Sequence, residues 1–97
     1  MSKRYVVMLS KQARKDLDEF SSEQHTKITK MFERMETEPL YEPCEELVLN
    51  LYGKYSRRIN VHDRMVFEIR DDVSEPGEVY VIRLKGHCKD IHSFLAL

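Results

Sequence analysis

The segment "RMVFEIR", residues 64–70, alternates strongly between polar and apolar side chains, with Val66 as the exception. Its apolar residues Met65, Phe67 and Ile69 fall on one face of an extended chain, which predicts a strand with one face in a hydrophobic core. The segment "KYSRRI" precedes it across the turn "NVHD", and "VYVIRLK" follows it after a loop with Pro-Gly at its tip. Strands joined by short turns predict a hairpin or meander, so we expect the C-terminal half to form an antiparallel sheet.

Two amphipathic helices are predicted before this sheet. After a short apolar strand, "RYVVML", Ser10 can cap a helix that presents Ala13, Leu17 and Phe20 on one face. The charged residues of this helix are expected to lie outside: Arg14, Lys15, Asp16, Asp18 and Glu19. Ser21 or Ser22 can cap a second helix that ends before Pro39. Its apolar stripe consists of Ile28, Met31, Phe32 and Met35. An initial strand and a helical hairpin packed on an antiparallel sheet predict an α+β fold.

Length and composition favour one folded domain covering residues 1–97. The chain is 41% apolar and 34% charged, which is typical of a folded, water-soluble domain. No apolar run approaches the roughly 20 residues that cross a bilayer, and the apolar stretch within "MSKRYVVMLS" is too short for a signal peptide. We therefore expect a cytoplasmic protein without a membrane partner. Cys44 and Cys88 lack metal-ligand spacing, so free thiols and no metal or cofactor are expected.

Charge is segregated along the chain although the net charge is only -1. Residues 54–64 contain four cations and one acid, whereas residues 42–46 contain three acids and no cation. A bound phosphate responds to such a local field more than to the total charge.

Strand alternation indicates where the cations point. On "KYSRRI", Ser56 and Arg58 share one face, whereas Arg57 falls with apolar side chains. On the last strand, three basic residues alternate together, namely Arg83, Lys85 and His87. The apolar residues that alternate with them are Tyr80, Ile82 and Leu84. We expect the cations to collect on the sheet face that the helices leave open.

These residue types suit metal-independent cleavage of RNA. That reaction needs a base for the 2′-hydroxyl proton, an acid for the leaving 5′ oxygen, and cations for the charged transition state. A glutamate, a histidine and an arginine can take these roles.

The segments "NLYGKYSRRINVHDRMVFEI" and "VYVIRLKGHC" resemble the toxin of the YoeB (Txe) family of bacterial toxin-antitoxin systems, within the RelE superfamily. The resemblance implies a RelE-like α+β fold and ribosome-dependent endonucleolytic cleavage of mRNA in the decoding site. It also implies the toxin role of a type II system, in which a cognate YefM-type antitoxin neutralises this mRNA interferase. A homodimer is a further expected assembly.

The resemblance also assigns candidate site residues. Glu45 corresponds to the general base, Arg64 to the arginine that stabilises the scissile phosphate, and His87 to the general acid. Glu46, one position from Glu45, is the alternative base. The resemblance further implies that Arg58 contacts RNA and that Cys88 stands at a position that contacts RNA. From the charge of the predicted sheet, further candidates for contacts with RNA phosphates are Lys54, Arg57 and Lys85.

Two departures from the family pattern leave other functions open. Cys88 stands where the family has a tyrosine, and a thiol neither stacks on a base nor donates a hydrogen bond comparably well. A lysine expected shortly after the glutamate corresponds to Val48. The alternatives are a catalytically inactive binding module with the same fold and a gyrase-poisoning relative.

Overall fold

The computed structural model describes residues 4–47, 53–70 and 76–86. Its elements in chain order are β1 (Tyr5–Leu9), α1 (Lys11–Asp18), α2 (Ser22–Met35), β2 (Glu45–Glu46), β3 (Lys54–Arg58), β4 (Arg64–Arg70) and β5 (Gly77–Arg83). The α+β fold predicted from the sequence is confirmed, with two helices and one five-stranded sheet. None of the helices in these ranges has the length and apolar character needed to span a membrane.

Serine caps begin both helices. Ser10 Oγ accepts a hydrogen bond from the backbone N–H of Ala13 at 2.9 Å, and it donates to the carbonyl of Ile82 at 2.7 Å. Ser21, rather than Ser22, caps α2 by accepting from the N–H of Gln24 at 3.3 Å. Each cap satisfies an N–H group that would lack a partner within the helix.

The strand order of the sheet is β1-β5-β4-β3-β2. The pairs β2–β3, β3–β4 and β4–β5 are antiparallel as expected, but β1 pairs with β5 in parallel, so the sheet is mixed. The difference arises because β1 and β5 are not joined by a turn, and the helices and three strands between them remove the hairpin constraint on direction.

The core lies between the helices and one face of the sheet. The helices contribute Ala13, Ile28 and Met35 to it, and β4 contributes Met65 and Phe67, all with no solvent exposure. The predicted apolar face of β4 is therefore confirmed. On the opposite face, Val66 is also buried, against Leu47 and Ile82, so this face is partly apolar rather than fully open.

The side-chain directions expected for the last strand were right for Leu84 but wrong for Ile82. Val79, Val81 and Leu84 enter the core, whereas Ile82 packs on the opposite face. An irregularity in the pairing of β4 with β5 at Val66/Phe67 shifts the register, and such a shift exchanges the faces of the residues beyond it.

Asp16 also corrects the sequence interpretation, because it is 1% exposed rather than on the outer surface of α1. Its Oδ2 accepts hydrogen bonds from Arg83 Nε at 2.9 Å and from the backbone N–H of Leu84 at 3.0 Å. Arg83 thus lies against α1 and does not belong to the cations of the open face. The ion pair joins the first helix to the last strand.

Candidate functional site

Strand β3 separates two sets of side chains by simple alternation. Its cross-strand partners place Ser56 opposite Glu45 of β2, and Arg58 opposite Arg64 of β4. Residues directly opposite each other in an antiparallel pair point to the same face. Three neighbouring strands therefore present Glu45, Ser56, Arg58 and Arg64 on the face away from the helices.

Arg64 reaches across β3 toward β2. Its Nε and Nη2 donate hydrogen bonds to Ser56 Oγ at 3.1 and 3.0 Å, and Nη2 lies 3.4 Å from Glu45 Oε1. The Arg64 side chain is only 14% exposed, whereas that of Glu45 is 68% exposed. The arginine is therefore held in one orientation, and the carboxylate beside it remains open to solvent.

Ser56 is a functional candidate that the sequence interpretation missed. It is fully buried, and it holds the Arg64 guanidinium through two hydrogen bonds. The signal was present in the alternation of β3, which already placed Ser56 on the same face as Arg58.

A small cleft of about 160 Å³ lies at this cluster, lined by Pro43, Cys44, Glu45, Arg58 and Arg64. Arg58 is exposed and stands directly opposite Arg64. Like charges in this arrangement repel each other, so an anion bound between them would be stabilised by both. The cleft is thus suited to a phosphate group beside a carboxylate.

Cys44 forms part of the cleft wall and is half-buried. Burial raises the pKa of its thiol, and the nearby Arg57 opposes that shift only in part. The thiol is therefore uncharged at neutral pH and adds no negative charge to the site.

The end of the described chain lies beside Arg64. The Arg64 backbone N–H donates to the carbonyl of Gly86 at 3.3 Å, and Asp63 Oδ1 accepts from the Gly86 N–H at 3.1 Å. Gly86 immediately precedes His87 in the sequence. His87 and Cys88, expected as general acid and RNA contact, lie outside the described residues.

Two predicted RNA-contacting lysines lie apart from the cleft. Lys54 is at the other end of β3 from Arg58, about 13 Å along the strand, and its Nζ is 4.0 Å from Glu68 Oε2. Lys85 Nζ lies 3.4 Å from Glu19 Oε1 and 5.3 Å from the ring centre of Phe20, at the end of α1.

Arg57, predicted from the sequence to contact RNA, is instead buried inside the protein. It is 2% exposed, and its guanidinium points to the helix side of the sheet, over the rings of Tyr41 and Phe67. The alternation of β3 placed it there correctly, and the hydrogen bonds that it donates to backbone carbonyls make burial of the charge tolerable. It has no free surface for a phosphate.

Within the described ranges, no group of three or more side chains of the metal-ligating types is placed to hold a metal ion. The charged groups that line the cleft are the Glu45 carboxylate and the guanidinium groups of Arg58 and Arg64.

No protein-family model matches the sequence, and no curated protein matches it. Solved structures do match. The YoeB/ParE toxin from Agrobacterium tumefaciens superposes with a TM-score of 0.73 at 19% identity, covering 84% of this chain and 96% of that one. The order of elements and this superposition define the fold of the chain as that of the YoeB/RelE toxins.

Within that class, the sequence is 28% identical to YoeB in the heterotetrameric YoeB-YefM toxin-antitoxin complex from Staphylococcus aureus. That match has a TM-score of 0.70 and covers 87% of this chain and 98% of the other. A YoeB dimer from the same organism matches at 27% identity with the same TM-score and the same coverage. The resemblance to YoeB that the sequence predicts is confirmed.

Proposed function

We propose that the chain is the toxin of a toxin-antitoxin system and acts as a ribosome-dependent, metal-independent endoribonuclease on mRNA. The observation that carries the proposal is the Glu45–Arg64–Ser56 cluster, with Arg58 opposite Arg64, in a cleft on a YoeB/RelE-type fold. In this proposal, Glu45 is the base, and Arg64 and Arg58 are the cations that bind a phosphodiester entering the cleft.

The proposed reaction begins at the 2′-hydroxyl of the RNA. Glu45 accepts its proton while the 2′ oxygen attacks the adjacent phosphorus, and the bond from phosphorus to the 5′ oxygen breaks. Arg64 and Arg58 stabilise the negative charge that develops on the phosphoryl oxygens. His87 donates a proton to the leaving 5′ oxygen. The products are a 2′,3′-cyclic phosphate on one fragment and a 5′-hydroxyl on the other.

The geometry favours Glu45 over Glu46 as the base. Glu45 is opposite Ser56 and faces Arg64, whereas Glu46 is opposite Tyr55, whose ring stacks on the core residue Phe67. Successive residues of a strand point to opposite faces, so the two glutamates cannot both face the cleft.

The proposed partners follow from the same comparison. The relative from S. aureus is seen in a complex with YefM, and we propose that a YefM-type antitoxin segment covers the cleft of this chain as well. A second copy of the chain is a further proposed partner, because a YoeB dimer is among the matching structures. The substrate in this proposal is mRNA held in the decoding site of the ribosome.

The test is to add the purified chain to ribosomes carrying a defined mRNA and to map the new ends. We expect cleavage that leaves 5′-hydroxyl ends, which a ligase accepts only after treatment with a kinase. Arg64→Met is expected to lower the single-turnover rate by about 100-fold or more, since a preorganised charge donor contributes that much to such reactions. Intact mRNA at saturating wild-type protein would contradict the proposal and favour the binding module.

A further inference from the structure

The connector between α2 and β2 carries the cleft wall but has little regular structure of its own. Residues 36–44 form no helix or strand, and β2 consists of only two residues. Two paired residues are a weak anchor for a segment that holds Glu45 in place. Another contact is needed to position the connector against the sheet.

Arg57 supplies that contact from the opposite face of β3. Its Nη1 donates hydrogen bonds to the carbonyls of Tyr41 at 2.6 Å and Pro43 at 3.0 Å, and its Nη2 donates to the carbonyl of Pro39 at 2.9 Å. The guanidinium carbon also lies 3.5 Å from the ring centre of Tyr41. Three carbonyls at alternate positions of the connector are thus bound by one planar group.

Burial of Arg57 has two energetic costs that an exposed arginine would not have. Among the described residues, none offers an acceptor to the buried Nε of Arg57. Burial also lowers the pKa of the guanidinium. An apolar side chain at this position would avoid both costs, but it could not bind the carbonyls.

The contact is directly coupled to the cleft by the geometry of β3. Pro43, whose carbonyl Arg57 binds, lines the cleft and lies two residues before Glu45. The chain neighbours of Arg57 are Ser56, which orients Arg64, and Arg58, which also lines the cleft. One strand therefore fixes the connector from one face and presents the charged groups on the other.

We propose that Arg57 is a positioning residue that sets the place of Glu45 relative to Arg64 by binding the carbonyls of residues 39, 41 and 43. This inference rests on the proposed function for its kinetic consequence. Displacement of a base by about 1 Å can lower a rate by about 100-fold without a large change in substrate affinity.

The first test measures the connector itself, without any assay of activity. In Arg57→Lys, which keeps the charge but loses the planar fork, the backbone amides of Tyr41 and Leu47 are expected to exchange with deuterium about tenfold faster or more. Both amides are hydrogen-bonded in the wild type, to the carbonyls of Glu38 and Lys54. Amides of β4 and β5 are expected to keep their protection.

The second test measures single-turnover mRNA cleavage on saturating programmed ribosomes. Arg57→Lys and Arg57→Ala are expected to lose about 10- to 100-fold in rate, with ribosome affinity within about twofold of wild type. Guanidinium chloride, at concentrations far below those that denature proteins, is expected to restore part of the Arg57→Ala rate, since the ion can occupy the space left by the side chain. Sodium chloride at equal ionic strength is the control for screening.

Arg34→Met is the matched structural control. The Arg34 guanidinium carbon lies 4.1 Å from the ring centre of the same Tyr41, while the three carbonyls are bound by Arg57. We expect this variant to lose some stability but to keep its cleavage rate. An equal loss of rate in Arg34→Met would overturn the inference, as would a folded Arg57→Lys with wild-type cleavage or wild-type exchange.

The two proposals can fail separately. If the wild-type chain does not cleave mRNA, the proposed function fails, and exchange at Tyr41 and Leu47 still decides whether Arg57 fixes the connector. If the wild type cleaves and the Arg57 variants cleave equally fast, only the positioning role is lost. If Arg57→Ala does not fold, Arg57→Lys decides both measurements.

Discussion

Arg57 and Arg58 are neighbours in the chain, yet the fold assigns them unrelated roles. Arg57 is 2% exposed and binds backbone carbonyls, whereas Arg58 is exposed and lines the cleft with Arg64. The period of two along a strand is sufficient to separate them. Charge alone suggested a common role in RNA contact, but alternation was the better guide to where each side chain lies.

The adjacent glutamates allow a direct test of the same rule. Glu45→Gln is expected to lower the single-turnover cleavage rate on ribosomes by about 100-fold or more, because an amide cannot accept the 2′-hydroxyl proton. Glu46→Gln removes an equal charge one residue away, on the other face of β2, and is expected to cleave at nearly the wild-type rate. The opposite ranking of the two variants would assign the base to Glu46.

The individual elements could be predicted well from the sequence, because their signals are local. The serine caps, the two apolar helix stripes, the turn after β3 and the core face of β4 are all set by residues within a few positions of each other. Long-range relations could not be predicted in this way. The parallel pairing of β1 with β5 and the irregularity at Val66/Phe67 depend on contacts between distant segments.

Asp16 shows how such a long-range contact buries a charged residue of α1 that its helical position predicts to be exposed. Helical spacing places it among charged residues, but its partner Arg83 is 67 positions away in the sequence. The sequence contains no local sign of that pairing. The same limit applies to the site, where Ser56 and Arg64 meet only because β3 and β4 pair in the observed register.

Removal of the Asp16 carboxylate is expected to destabilise the whole fold. Asp16→Ala removes the carboxylate that accepts hydrogen bonds from Arg83 Nε and the Leu84 N–H, and loss of one partner of a buried ion pair costs about 3 kcal/mol. Asp18→Ala, an exposed position on the same helix, is the matched control and is expected to change stability by about 0.5 kcal/mol or less. Urea denaturation followed by circular dichroism measures both. Equal stability of the two variants would show that the buried ion pair makes no net contribution to the free energy of unfolding.

The whole chain carries a net charge of -1, so the proposed binding of RNA requires a local group of cations rather than a general positive field. The structure brings two arginines into the cleft, Arg58 and Arg64, and places Lys54 beside Glu68 at the other end of β3. For single-stranded RNA, contacts to two phosphates predict a slope of about -1.4 when the logarithm of the binding constant is plotted against the logarithm of salt concentration.

This slope can be measured by fluorescence anisotropy with a short, labelled single-stranded RNA at several salt concentrations. Arg58→Met is expected to reduce its magnitude to about 0.7, since one phosphate contact is lost. Lys54→Met removes the same charge outside the cleft and is expected to leave the slope unchanged, because its Nζ already lies near Glu68. A slope near -2.1 whose magnitude falls with either variant would instead mean that Lys54 makes a third phosphate contact and that RNA follows the whole of β3. In that case weak binding to free RNA would extend well beyond the cleft, and the ribosome would be less important for bringing the substrate to Arg64.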